Sequence, residues 1–134
     1  PDGHVILRGG AKPNYDAESI ALCEQELAKN KLELGIVVDC SHGNSSKDFS
    51  RQPIVAQDVF AQIVDGNKSI IGIMLESNLN EGNQSADLAI EEMAYGVSVT
   101  DACINFETTE QLLEQATEKL HKVLPQRIKL ACTV

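Results

Sequence analysis

The chain of 134 residues, 43% hydrophobic and 23% charged, is long enough for one domain with a core of its own. Eleven Lys and Arg against twenty Asp and Glu give a net charge of −9 with the bases scattered, so no nucleic-acid partner is expected. Apolar runs such as Val5-Ile6-Leu7 and Ile70 to Leu75 fall far short of the ~20 residues of a membrane helix, so no membrane span is expected either.

Pro1-Asp2-Gly3 runs almost at once into an apolar segment without an initiator Met, and we expect a piece of a longer protein. Residues 4–8 read as a first strand. A helix is expected over residues 16–30, with Asp16 as its cap, Glu18 in its first turn, Lys29 in its last and an apolar stripe of Ile20, Cys23, Leu27 and Ala28. Residues 35–42 form the second expected strand. The second helix runs over 52–65: Pro53 suits a first turn, Val55, Val59 and Ile63 repeat every four residues, and Gly66 stops it. A third strand is expected over 69–76. The connection 77–96 is polar, with a short helix over 88–93, and long polar loops in such folds carry function. A fourth strand is expected over 97–103. Thr108 and Gln111 then stand in capping-box spacing before Leu112, Leu113, Ala116, Leu120 and Val123, and Pro125 ends that helix ahead of a tail.

The strand-like runs begin about thirty residues apart and are rich in Val and Ile without alternation, as in parallel strands covered on both faces. We therefore expect an α/β fold, residues 1–134 as a single unit, with the order βα-βα-βα-βα. Two architectures fit: the second half of an eight-stranded barrel, or a small open parallel sheet. Cys23, Cys40, Cys103 and Cys132 make no CxxC pair, and all but Cys132 sit in apolar stretches, which suits reduced thiols in a cytoplasmic protein.

Each apolar run ends in a polar residue: Arg8, His42, Glu76 and Asp101. Parallel βα folds gather their sites at the carboxyl ends of strands, so these side chains are expected to converge. Singly, each has an ordinary reading as a cap, an ion-pair partner or a hydrogen-bonded histidine. Together, an imidazole and two carboxylates form a mixed N/O set suited to divalent Mn, Fe, Co or Zn. Arg8-Gly9-Gly10 offers a guanidinium fork for phosphate on a loop whose glycines allow close approach, although RGG also makes plain turns. Lys47, in the polar loop around His42, reads equally well as a surface charge.

The string from His4 to Gly10, then Asp39-Cys40-Ser41-His42-Gly43-Asn44-Ser45-Ser46-Lys47, Met74-Leu75-Glu76-Ser77, Glu81-Gly82-Asn83-Gln84 and Thr100-Asp101-Ala102-Cys103 resembles the C-terminal part of class I metal-dependent 3-deoxy-D-arabino-heptulosonate 7-phosphate (DAHP) synthases. The resemblance runs in order to about Leu124. It implies the last four βα units of a TIM (β/α)8 barrel, present as a half-barrel. It further implies condensation of phosphoenolpyruvate with erythrose 4-phosphate at the head of the shikimate pathway: carbon 3 of the former attacks the aldehyde, water captures carbon 2, and phosphate leaves. His42, Glu76 and Asp101 fall on metal ligands and Arg8 on the residue that holds the phosphoenolpyruvate phosphate. The family's fourth ligand, a Cys, and further substrate-binding Arg and Lys residues belong to the missing N-terminal half of the barrel. Cys40 and Cys103, each inside a motif, are expected to be structural.

With that half missing, the chain alone is expected to be inactive. Its open strand edges imply a homo-oligomer, and a non-catalytic assembly module that self-associates is the alternative in another class. A related 3-deoxy-octulosonate 8-phosphate synthase is a further alternative, less well matched by the NSSK and EGNQ strings.

Overall fold

The computed structural model describes the backbone of residues 3–131 and the side chains as far as Arg127, so Cys132 lies outside the described residues. Its elements are β1 (Val5–Leu7), α1 (Ala17–Lys29), β2 (Ile36–Asp39), α2 (Gln52–Val64), β3 (Ile70–Met74), α3 (Phe106–Leu120) and α4 (Leu124–Ala131). Single 3-10 turns at Phe49–Arg51 and Ile90–Glu92 complete them, the second being what the expected helix over 88–93 amounts to. No helix among the described residues is long and apolar enough to cross a membrane.

Three parallel strands lie in the order β1-β2-β3. Val5, Ile6 and Leu7 pair with Ile36, Val37 and Val38, and Ile36 pairs with Ile70 while Val37 pairs with Gly72, so Ile71 is the extra residue of a bulge. The βα rhythm is therefore correct as far as β3, which is followed by a loop and a 3-10 turn in place of its helix.

Helix α1 starts where Asp16 accepts the Ser19 N–H at 3.0 Å, and α2 carries Pro53 in its first turn. Gly66 follows α2 with φ 108°, a conformation open chiefly to glycine. The core lies between the sheet and the helices: Ile20 and Leu27 of α1, Val55, Val59, Phe60 and Ile63 of α2 and Leu112 and Leu120 of α3 close on Ile36, Val38 and Ile70. Each such aliphatic side chain, buried, contributes about 1.5–3 kcal/mol. Ala28, expected in the α1 stripe, is exposed.

Four expectations need correction. The sheet is covered on one face only: Ile6 is 54% exposed and Ile71 60%, because all the core-forming helices pack on the side of Ile36 and Val38. Continuous Val/Ile runs signal apolar surroundings on both faces, and here one face of the sheet is open. The fourth strand, over 97–103, does not form. Its backbone groups are taken by the polar connection before it: Gln84 N–H donates to Ser98 O at 2.8 Å, Gln84 Nε2 to Val97 O at 3.0 Å, and Asn83 Nδ2 to Thr100 O at 2.9 Å. Ile104 alone pairs with the chain just beyond β3, in a single parallel bridge with Ser77.

The cap of α3 is Asn105, which accepts the Thr108 N–H at 2.8 Å, rather than Thr108 itself. Pro125, expected to end a helix, stands in the first turn of α4, where its missing N–H costs nothing. Helix α3 ends instead at Leu120, and Arg127 of α4 donates to Ile70 O at 2.9 Å and also to Asn67 O, tying the last helix to the start of β3.

Candidate metal centre

The chain leaves β2 through Ser41 into a left-handed turn, with φ of 46° at His42, 56° at Ser46 and 62° at Lys47. Non-glycine residues in that region are uncommon and held by their surroundings, and they cluster at functional sites. Fully buried Asn44 holds this turn. Its Nδ2 donates to Leu7 O at 3.0 Å and Asp39 O at 2.8 Å, and its Oδ1 accepts Asn14 N–H at 2.7 Å. The loops after β1 and β2 are thereby locked together at the carboxyl end of the sheet.

Gly9 and Gly43 make that contact possible. Gly43 N–H donates to Arg8 O at 3.0 Å, and a Cβ on Gly9, whose φ is 77°, would lie 2.5 Å from the Gly43 carbonyl carbon. The sequence Arg8-Gly9-Gly10 suggests a backbone open to an anion. These glycines spend their amides otherwise: Gly9 N–H goes to Asn14 Oδ1 at 2.8 Å and Gly10 N–H to Lys12 O at 3.0 Å. What they allow is backbone-to-backbone packing, which sets Arg8 beside His42.

Of the four residues singled out in the sequence, three meet closely. His42 Nε2 lies 3.4 Å from Asp101 Oδ2 and 3.9 Å from Glu76 Oε1, and one donor atom from each residue falls within 4.8 Å of the others. Glu76 comes from just beyond β3 and is partly buried, whereas Asp101 is 63% exposed on the loop that Asn83 and Gln84 hold. Gln84 braces that loop further, accepting Ala94 N–H at 2.8 Å and donating to Ala94 O at 2.8 Å. Arg8 lies across a cleft of about 300 Å³ that it lines together with His42, Lys47, Phe49 and Asp101.

Two residues beyond those four stand at the site. Asp39, the last residue of β2, is 3% exposed, and its Oδ2 lies 2.7 Å from His42 Nδ1 while Oδ1 accepts Ser41 N–H at 2.8 Å. A carboxylate only accepts, so the proton of a neutral ring sits on Nδ1 and the Nε2 lone pair faces Glu76 and Asp101. The signal was an Asp closing an apolar strand, since a buried carboxylate needs partners. Lys47 is the other: it lines the same cleft as Arg8, and neither is ion-paired among the described residues.

One imidazole with a free Nε2 and two carboxylates suit a divalent first-row metal by donor type and spacing. The described cysteines are free thiols. Cys40 is buried, and burial pushes its thiol up to about 12, with the Asp39 carboxylate adding to the effect. Cys103 has its Sγ 4.0 Å from Glu76 Oε2, and burial raises its pKa, with the Glu76 and Asp101 carboxylates adding to the effect.

Residues 1–114 match the family described as DAHP synthetase I. The chain belongs to the DAHP synthetase I family. It is 60% identical over 128 residues to the Tyr-sensitive phospho-2-dehydro-3-deoxyheptonate aldolase of Enterobacter agglomerans, covering 96% of this chain and 60% of that protein. It is 56% identical over 128 residues to the Tyr-sensitive enzyme of Escherichia coli (strain K12), covering 96% of this chain and 36% of the relative. A solved phospho-2-dehydro-3-deoxyheptonate aldolase from Francisella tularensis SCHU S4 superposes with a TM-score of 0.83 at 44% identity, over 89% of this chain and 34% of the other. The chain thus spans between about a third and three fifths of these family members.

Proposed function

We propose that this chain is the C-terminal half of a DAHP synthase barrel and carries most of its metal centre. The full protein joins phosphoenolpyruvate to erythrose 4-phosphate, releasing phosphate. The reading rests on one observation above all: the His42, Glu76 and Asp101 donors lie within 4.8 Å of one another at the lip of a cleft lined by Arg8 and Lys47. The names of the curated relatives favour the heptulosonate reaction over the octulosonate one.

His42, Glu76 and Asp101 would hold the divalent ion, which would supply Lewis-acid polarisation of the aldehyde oxygen of erythrose 4-phosphate. Asp39 orients the His42 ring and keeps its proton on Nδ1. Arg8 grips the phosphoenolpyruvate phosphate with its fork, and Lys47 adds a point charge where two anionic substrates would otherwise repel each other. Which of Mn, Fe, Co or Zn is used is a matter of supply as much as of this donor set.

The remaining cations and the fourth ligand come from the N-terminal half, so the chain alone is inactive. That half covers the open sheet face of Ile6 and Ile71 and closes the barrel. The same apolar face favours a second reading, a homo-oligomeric assembly module in which another copy takes that place. Three free thiols suit a cytoplasmic setting.

The test is phosphate release from the two substrates with Mn²⁺, on this chain alone and after co-folding with the N-terminal half of a full-length relative. Silence alone and turnover on complementation are expected. Turnover by the chain alone refutes the half-site reading, and silence of a folded, bound complex refutes the assigned reaction.

A further inference from the structure

Gln52 opens α2, and its side chain is fully buried. A buried primary amide is costly unless both ends are bonded. Here both ends go to one residue: Gln52 Nε2 donates to Glu76 O at 3.0 Å, and Glu76 N–H donates to Gln52 Oε1 at 2.8 Å. That is the donor and acceptor pair a neighbouring strand presents.

A strand is what Glu76 lacks on that flank. The last rung from β2 is Cys40 N–H to Met74 O at 2.9 Å, after which the chain turns away through His42. On the other flank Ile104 N–H reaches the same Glu76 carbonyl at 3.0 Å. Without Gln52, the Glu76 main chain would hang from Ile104 alone, beyond the end of β3.

We propose that Gln52 is a positioning residue for Glu76, its amide replacing the absent strand and fixing the main chain from which the carboxylate reaches toward His42 and Asp101. This rests on the metal reading given above. Only a glutamine serves at this depth: Met or Leu fills the space but offers neither bond, and an ionised Glu sets oxygen against oxygen at the Glu76 carbonyl. Gln52 touches no reacting atom and acts through Glu76.

The experiment titrates Co²⁺ by its visible absorption into the full chain and its Gln52→Met, Glu76→Gln and Val59→Ala variants. It also follows amide hydrogen exchange of the metal-free wild type. Gln52→Met is expected to weaken Co²⁺ binding by about 10- to 100-fold, the range for groups that brace a ligand. Val59→Ala, which empties core space on the same helix, lowers stability without that loss. The Glu76 amide of the wild type is expected to be protected like that of Cys40, a readout that needs no variant to fold. An unprotected Glu76 amide, or wild-type affinity in Gln52→Met where Glu76→Gln has lost it, overturns the proposal alone. A wild type that takes up no Co²⁺, indistinguishable from Glu76→Gln, overturns the metal reading and the proposal with it.

Discussion

Asp39 Oδ2 stands 2.7 Å from Nδ1 of His42, and its other oxygen is held by the Ser41 N–H, so a carboxylate 3% exposed fixes the ring from behind. Asp39→Asn removes the charge and allows the amide to face Nδ1 with either end. Its expected effect is metal binding weakened by about 10- to 100-fold with the fold retained. Co²⁺ titration beside a circular dichroism spectrum checks it, and undiminished affinity would show that the contact does not orient the ring.

Metal should stabilise the fold as well as occupy the site, because binding to the native state alone adds stability by mass action. At a hundredfold excess over Kd the gain is about 2.7 kcal/mol. Thermal unfolding with and without Mn²⁺ measures it, chelation reverses it, and Asp101→Asn or Glu76→Gln should abolish most of it.

The Gly9 and Gly43 backbones touch, and no Cβ fits between them. Gly9→Ala incurs both the left-handed penalty, about 1–2 kcal/mol, and a clash with main-chain atoms. A loss of at least about 2 kcal/mol in a urea titration is expected. A stability within a few tenths of wild type would mean the two loops separate freely.

Arg8 and Lys47 face one cleft, and the binding of phosphoenolpyruvate by the complemented protein should report on both. Arg8→Ala removes a charge-assisted fork and is expected to cost about 1.5–3 kcal/mol. Lys47→Ala costs less, since its ammonium offers a point charge in place of a bidentate fork, and its effect shrinks as salt rises. Calorimetry at two ionic strengths separates the two.

Hydrogen bonds from the Ser19 backbone and hydroxyl hold the Asp16 carboxyl below the usual carboxylate range. A depressed pKa means the cap contributes fully above the unfolded value and is lost as pH falls through the folded one. Asp16→Ala should therefore cost about 1 kcal/mol at neutral pH and nearly nothing once both pKa values lie above the pH. Denaturation of the two chains at pH 7 and over a series of falling pH values decides it.

Much of the candidate site could be read in one dimension because its chemistry is tied to strand ends. Parallel strands put their carboxyl ends on one side, so polar residues closing apolar runs, His42 and Glu76 among them, had to approach one another. Helices α1 and α2 were equally legible, since Asp16, Pro53 and Gly66 act within a turn of where they stand. Asp101 reaches the same place by another route, on a loop clamped by Asn83 and Gln84, and no local pattern distinguishes that loop from a strand of the same Val, Ser and Thr residues.

The amino-acid order by itself determined the family, the βα rhythm as far as β3, and the residues proposed to bind a metal and a phosphate, because all of these depend on residue type and short spacing. The tertiary structure alone decided which neighbours hold them. Asp39 behind His42, Lys47 beside Arg8 and Gln52 against Glu76 are matters of distance in space, between 3 and 39 positions apart along the chain. It also decided that the Ile6 and Ile71 face stays open, since coverage depends on what packs against a strand, and an apolar run reads the same whether its partner is present or not.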